Sequence, residues 1–128
     1  MQPNESGCPC GAGQSYTDHC GKVHLGGAGL GTSAEQLMRA RYSAYVMHDE
    51  GFLLSSWHPD TRPAEVEFDE GLEWLGLEVV ATEAGTAFDN DGIVEFTARF
   101  RRGGEHLELH ERSSFVRLDG RWMYVTGT

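Results

Sequence analysis

Three cysteines and two histidines crowd the first 24 positions of the chain: Cys8, Cys10, His19, Cys20 and His24. Their order is Cys-x-Cys, eight intervening residues, then His-Cys. Zinc favours four thiolate or imidazole ligands in a tetrahedron. Cys8 and Cys10 can form one side of it, and His19 with Cys20 the other; His24 is the alternative fourth ligand. Gly11, Gly13 and Gly21 let the backbone close tightly around an ion. Four protein ligands leave no position open for water, which makes such a zinc structural rather than catalytic. It would supply on the order of 10 kcal/mol to a segment too short to fold alone. The competing readings are three free thiols in a tail and a strained Cys8–Cys10 disulfide. The disulfide reading lacks the CxxC-on-a-helix arrangement of redox thiols.

A second chemical signal lies far downstream. In the run His106–Leu118, strict alternation puts Leu107, Leu109 and Phe115 on one strand face, and Glu111 and Ser113 on that same face. Val116 and Leu118 point the other way. Either a bulge resets the register, or a carboxylate and a hydroxyl sit among apolar side chains. A buried carboxylate needs partners, so this is the best internal hint of a pocket.

The elements that must position these groups follow from periodicity. Thr32 stands three residues before Glu35 and Ser33 three before Gln36, so either pair can open a helix with a capping box. Leu37, Met38, Tyr42, Tyr45 and Val46 then form its apolar stripe. Asp49–Ser56 reads as a short second helix, ended by the extended loop Trp57–Pro63 with its two prolines. Four strands are expected after it. Glu73–Glu83 is rich in bulky and β-branched residues, and Ile93–Arg102 alternates Val94, Phe96, Ala98 and Phe100 against Glu95, Thr97, Arg99 and Arg101. His106–Leu118 and Trp122–Thr126 complete the set, joined by an Asp119-Gly120 turn. Two helices followed by four antiparallel strands make an α+β fold. A leader, the cysteine unit and the glycine linker Leu25–Gly31 occupy residues 1–31, and the α+β domain residues 32–128.

Composition narrows the function classes. The chain has 128 residues, 39% hydrophobic and 23% charged, enough for one modest core. Its apolar runs are only a few residues long, against the roughly 20 that span a bilayer, so no membrane insertion is expected. The first twenty residues hold no apolar signal-peptide segment. A reducing compartment, the cytoplasm, is therefore expected, where clustered cysteines bind metal before they pair. The net charge of −10 repels phosphates, so nucleic-acid binding is not expected. The acids concentrate between Asp60 and Asp91, whereas arginines slightly outnumber acids after Gly92. No GxSxG elbow, HExxH or phosphate-binding loop is present.

The run CPCGAGQSYTDHCG resembles the SEC-C motif, known from the C-terminus of the preprotein translocase ATPase and from many small bacterial proteins. Beyond it, LMRARYSAY, SWHPDTRP, WLGLEV, HERSSFVR and GRWMYVTG resemble the YchJ-like family from about Cys8 to Gly127. The usual motif ends Cys-Cys or Cys-His, whereas this chain reverses the order at His19-Cys20, and it lacks the second, C-terminal motif of many relatives. The resemblance implies a domain of the nuclear transport factor 2 type: a cone-shaped curved antiparallel sheet wrapped on N-terminal helices, with an open pocket. Candidate pocket residues are then Trp57, His58, Arg99, His110, Glu111, Ser113 and Tyr124. It also implies that dimers can form through the sheet, provided the acidic stretch lies off the interface.

Two functions compete, beside a third, a metal- or redox-responsive switch, which would need a labile metal site. One is a non-catalytic binding module, taking a protein partner on the zinc unit or a small ligand in the cone. The other is a small enzyme using an acid/base residue such as Glu111 in the pocket. A closed cone favours a protein partner on the zinc unit; a deep cavity with an ionisable floor favours a ligand or substrate.

Overall fold

The computed structural model describes residues 33–128 except 87. The metal-ligand candidates Cys8, Cys10, His19, Cys20 and His24 lie outside the described residues. Helix α1 spans Ala34–Met47, with Ser33 as its N-cap: the Ser33 hydroxyl accepts the Gln36 N–H at 3.1 Å. Glu35 and Arg39 pair one turn apart at 3.0 Å. His48 ends the helix in the left-handed region with φ 57°. Asp49 immediately caps α2, Glu50–Ser55, by accepting the Phe52 N–H.

Strands β1 (Leu72–Ala84), β2 (Asp91–Arg102), β3 (Glu105–Leu118) and β4 (Arg121–Gly127) form one antiparallel meander in sequence order. Asp119 and Gly120 turn β3 into β4 with φ of 54° and 82°, the paired positive angles of a tight hairpin. Register shifts at Trp74/Gly76 and Val79/Ala81 leave Leu75 and Val80 pointing outward. Such bulges bend a strand and raise its twist, and they curve the β1 side of the sheet around the helices.

The core lies between the concave face and the helices. Leu37 and Ala40 of α1, Leu53 of α2, and Val94, Phe115 and Trp122 of the sheet are essentially inaccessible. Val46, expected in the helix stripe, stands at the rim and is 36% exposed. Arg41 takes a place on the buried face instead. The segment after α2 is tied to β4: Tyr124 donates its N–H to Ser56 O and accepts from His58 N, both at 2.8 Å. No helix among the described residues is long and apolar enough to cross a membrane.

Candidate functional site

The register of β2 against β3 runs without a shift from Asp91↔Val116 to Arg102↔Glu105. Against β2, β3 therefore keeps its alternation, the register shift at Ser114/Phe115 placing its extra residue, Val125, on β4, and Glu111 and Ser113 do face the same side as Leu109 and Phe115. They stand opposite Phe96 and Val94, on the concave face toward α1. Between that face and the helix is a cavity of about 250 Å³ lined by Met38, Arg41, Tyr42, Tyr45, Trp74, Phe96, Ala98, Leu109, Glu111, Ser113 and Tyr124. Leu109, 40% exposed, marks its mouth, and Ser113, 1% exposed, its floor.

The polar groups at the floor are mutually arranged. Ser113 Oγ donates to Glu111 Oε2 at 2.8 Å, and the Tyr124 hydroxyl donates to the same carboxylate. Burial and the Glu111 charge push the Tyr124 phenol up to about 12, so it stays a proton donor at neutral pH. Gly127 makes room for the carboxylate. A Cβ at that position would come within 2.0 Å of Glu111 Oε2 and 2.8 Å of its Cγ.

Arg41 anchors the floor from behind. Its Nη1 donates to Leu53 O at 2.9 Å and to Ser56 Oγ at 2.7 Å. The guanidinium carbon lies 4.8 Å from the Trp57 ring centroid and 4.4 Å from that of Tyr124, a double cation–π contact. Burial lowers the Arg41 pKa to about 10, against the opposing influence of Tyr45, Tyr124 and Glu111; the side chain remains a cation at neutral pH. The sequence reading missed Arg41; the signal that could have found it is a charged residue inside the 37, 38, 42, 45 stripe, where helical periodicity demands burial.

Of the pocket residues expected from the sequence, the structure brings Glu111, Ser113 and Tyr124 together. Trp57 is placed one layer back, with its ring edge-on to Tyr124 at 5.1 Å. His58 is not in the cavity wall: its Nδ1 accepts the Asp60 N–H at 3.1 Å, because the turn after α2 folds the ring onto its own loop. Arg99 is also not a cavity residue. Alternation in β2 sends it to the convex face with Glu95, Thr97 and Arg101, where it pairs with Glu78 at 3.1 Å and Glu108 at 3.4 Å. His110 occupies that face too, between Glu95 at 2.6 Å and Thr97 at 3.1 Å. Among the described residues no group of three or more His, Cys, Asp or Glu is placed to hold a metal ion.

Two helices laid in a curved four-stranded meander, with a cavity between them, define an NTF2-like domain. Residues 33–127 match the family model described as YchJ, middle NTF2-like domain. A UPF0225 protein of Streptomyces coelicolor is 48% identical over 120 residues, covering 94% of this chain and 93% of that protein. One from Xanthomonas campestris is 50% identical over 124 residues, covering 92% and 91%. The solution structure of a SEC-C motif containing protein from Rhodopseudomonas palustris superposes with a TM-score of 0.80 at 35% identity, over 94% of this chain and 96% of that one. A crystal structure of a SEC-C motif containing protein from Psychrobacter arcticus gives 0.77 at 27% identity, over 98% and 84%. The chain belongs to the YchJ-like family of UPF0225 proteins.

Proposed function

We propose that this protein is a non-catalytic binding module whose cone cavity takes a small ligand. The observation that carries the reading is the Ser113–Glu111–Tyr124 cluster, backed by Arg41, on the floor of a mainly apolar, aromatic-lined cavity. A few fixed polar groups in an apolar concavity are the general form of a small-molecule site. A volume of about 250 Å³ suits a compact ligand of few heavy atoms.

The same groups argue against acid/base catalysis as the first reading. A phenol held at about 12 is a weak acid at neutral pH. Glu111 already accepts from two hydroxyls, and among the described residues Ser113 has no histidine beside it in the cavity lining, since His110 faces the other side of the sheet. The alternative, a small enzyme, would assign Glu111 as its base. The test of ligand binding is a titration of the isotope-labelled full chain with small alcohols, amines, phenols and carboxylates, followed by NMR. Shifts should converge on the Trp74 indole and the backbone of Phe96, Glu111 and Tyr124. A panel that leaves these resonances in place would overturn the reading.

In the same proposal Cys8, Cys10, Cys20 and His19 hold a structural zinc, with His24 as the alternative fourth ligand. The Cys-x-Cys and His-Cys spacing supports it, as does the description of two solved relatives as SEC-C motif containing proteins. Such a unit would offer a rigid knob to a protein partner, and its thiolates suit a reducing compartment such as the cytoplasm. Metal analysis of the purified chain should find about one zinc per chain, lost on His19→Ala and retained on His24→Ala. The reverse pattern would move the fourth ligand to His24, and no zinc in any preparation made with zinc present, the unaltered chain included, would remove the metal from the account.

A further inference from the structure

The geometry points to a small organic cation, an amine or quaternary ammonium, as the ligand class of the cone cavity; this rests on the ligand-binding reading above. The walls carry the argument first. Tyr42, Tyr45, Trp74, Phe96 and Tyr124 all line one space of about 250 Å³. Tyr42 and Trp74 meet at 70° with centroids 5.7 Å apart, and Tyr45 and Trp74 at 55° and 6.3 Å. Rings set at such angles enclose a space on more than one side instead of stacking it shut. The negative π-faces of clustered aromatics attract cations, and they hold alkylated ammonium groups that hydrogen-bond poorly.

The charges point the same way. Arg41 also lines the cavity and its charge acts on Glu111, but it is only 3% exposed, spends Nη1 on Leu53 O and Ser56 Oγ, and has its guanidinium covered by Trp57 and by one face of Tyr124. Glu111 is the acid that faces the cavity. An ionised carboxylate offers about four lone-pair directions, and Ser113 and Tyr124 take two donors' worth of them. Acceptor capacity therefore remains toward the cavity, while Ser113 and Tyr124 hold the carboxylate in place. Beside the mouth, an adjoining depression that shares Tyr45 and Trp74 carries the exposed carboxylate of Glu67. With a net charge of −10 on the chain, its overall field favours cations over anions.

The test uses choline as the probe and 3,3-dimethyl-1-butanol, its neutral carbon isostere, as the control, each titrated into the full chain and read at the Trp74 indole N–H. Choline should bind about tenfold more tightly than the alcohol, the difference a desolvated cation–π and carboxylate contact supplies. In Glu111→Gln the preference should shrink severalfold. The wild-type comparison stands even if that variant folds poorly, and Trp74→Leu at the half-exposed mouth gives a second check by weakening choline more than the alcohol. Equal binding of both probes would overturn the cation assignment and leave the ligand-binding reading intact. A choline preference untouched by both variants would overturn the assignment of these residues. No shift with either probe would remove the cation assignment, and the broader panel above then decides whether the cavity binds anything.

Discussion

The two faces of the β2–β3 pair hold charge in opposite ways. On the convex face Glu73, Glu78, Glu83, Glu95, Glu108, Arg99, Arg101 and Arg112 form ion pairs in open water. Each such pair is worth about 0–1 kcal/mol and weakens with salt. This lattice also accounts for the acidic stretch of β1 and the arginines that follow: they neutralise one another across the strands. On the concave face the charged groups that line the cavity are Glu111 and, from the helix, Arg41, each given hydrogen-bond partners by groups placed for it. A charge that costs several kcal/mol to bury is kept here only with its partners supplied. The difference teaches that the surface charges are interchangeable, whereas the interior ones constitute a site.

Arg41→Met should produce the largest break in that contrast. It removes a cation 3% exposed together with its hydrogen bonds to Leu53 O and Ser56 Oγ and its contacts with the Trp57 and Tyr124 rings. A loss of about 3 kcal/mol is expected, measured by urea unfolding. A loss below about 1 kcal/mol would place Arg41 on the same footing as the convex-face arginines.

Gly127→Ala should come next. The added Cβ needs the space of the Glu111 carboxylate, so Glu111 must turn away and surrender the Ser113 hydrogen bond. About 1–2 kcal/mol should be lost, and the Ser113 and Glu111 amide resonances should move together. Unchanged resonances would mean that the carboxylate does not occupy that place.

A subtler probe is alkaline pH. Tyr124 titrates at about 12 in the fold against about 10 in an unfolded chain. Over that window the fold keeps a proton that the unfolded chain has lost. The stability this gives is complete below the unfolded value and disappears as pH rises through the folded one. Arg41, lowered to about 10, works in the opposite direction, because there the unfolded chain binds more protons. Wild type should therefore exceed Tyr124→Phe by about 1 kcal/mol near neutrality, and lose that margin between pH 10 and 12. A margin independent of pH would detach Tyr124 from Glu111.

The smallest effect belongs to the convex face. Arg99→Ala, which breaks contacts to Glu78 and Glu108, should change stability by no more than about 0.5 kcal/mol, and raising the salt should erase it. A larger change would show that the outer lattice acts as a unit.

Much of the scaffold could be read from residue order, because it is local. The Asp119-Gly120 turn, the Ser33 cap and the inward set Val94, Phe96, Ala98 depend on neighbours within a few positions. The apparent flaw in β3, Glu111 and Ser113 on an apolar face, was legible for the same reason and marked the cavity. The rest depended on how elements cross. Arg41 was hidden in a stripe read for its apolar members, and its partners Ser56 and Trp57 come from the segment after α2 that is tied to β4. His58 and Arg99 were placed with the pocket by residue type, although loop direction and strand parity send them elsewhere.

The most direct test of the account is a crystal structure of the full chain, without added ligand, at a resolution that shows ordered water. The account predicts an open cavity of about 250 Å³, with Glu111 turned inward onto Ser113 and Tyr124 and waters on its free lone pairs. A cavity collapsed or filled by the chain's own residues, with Glu111 turned out to solvent, would contradict it.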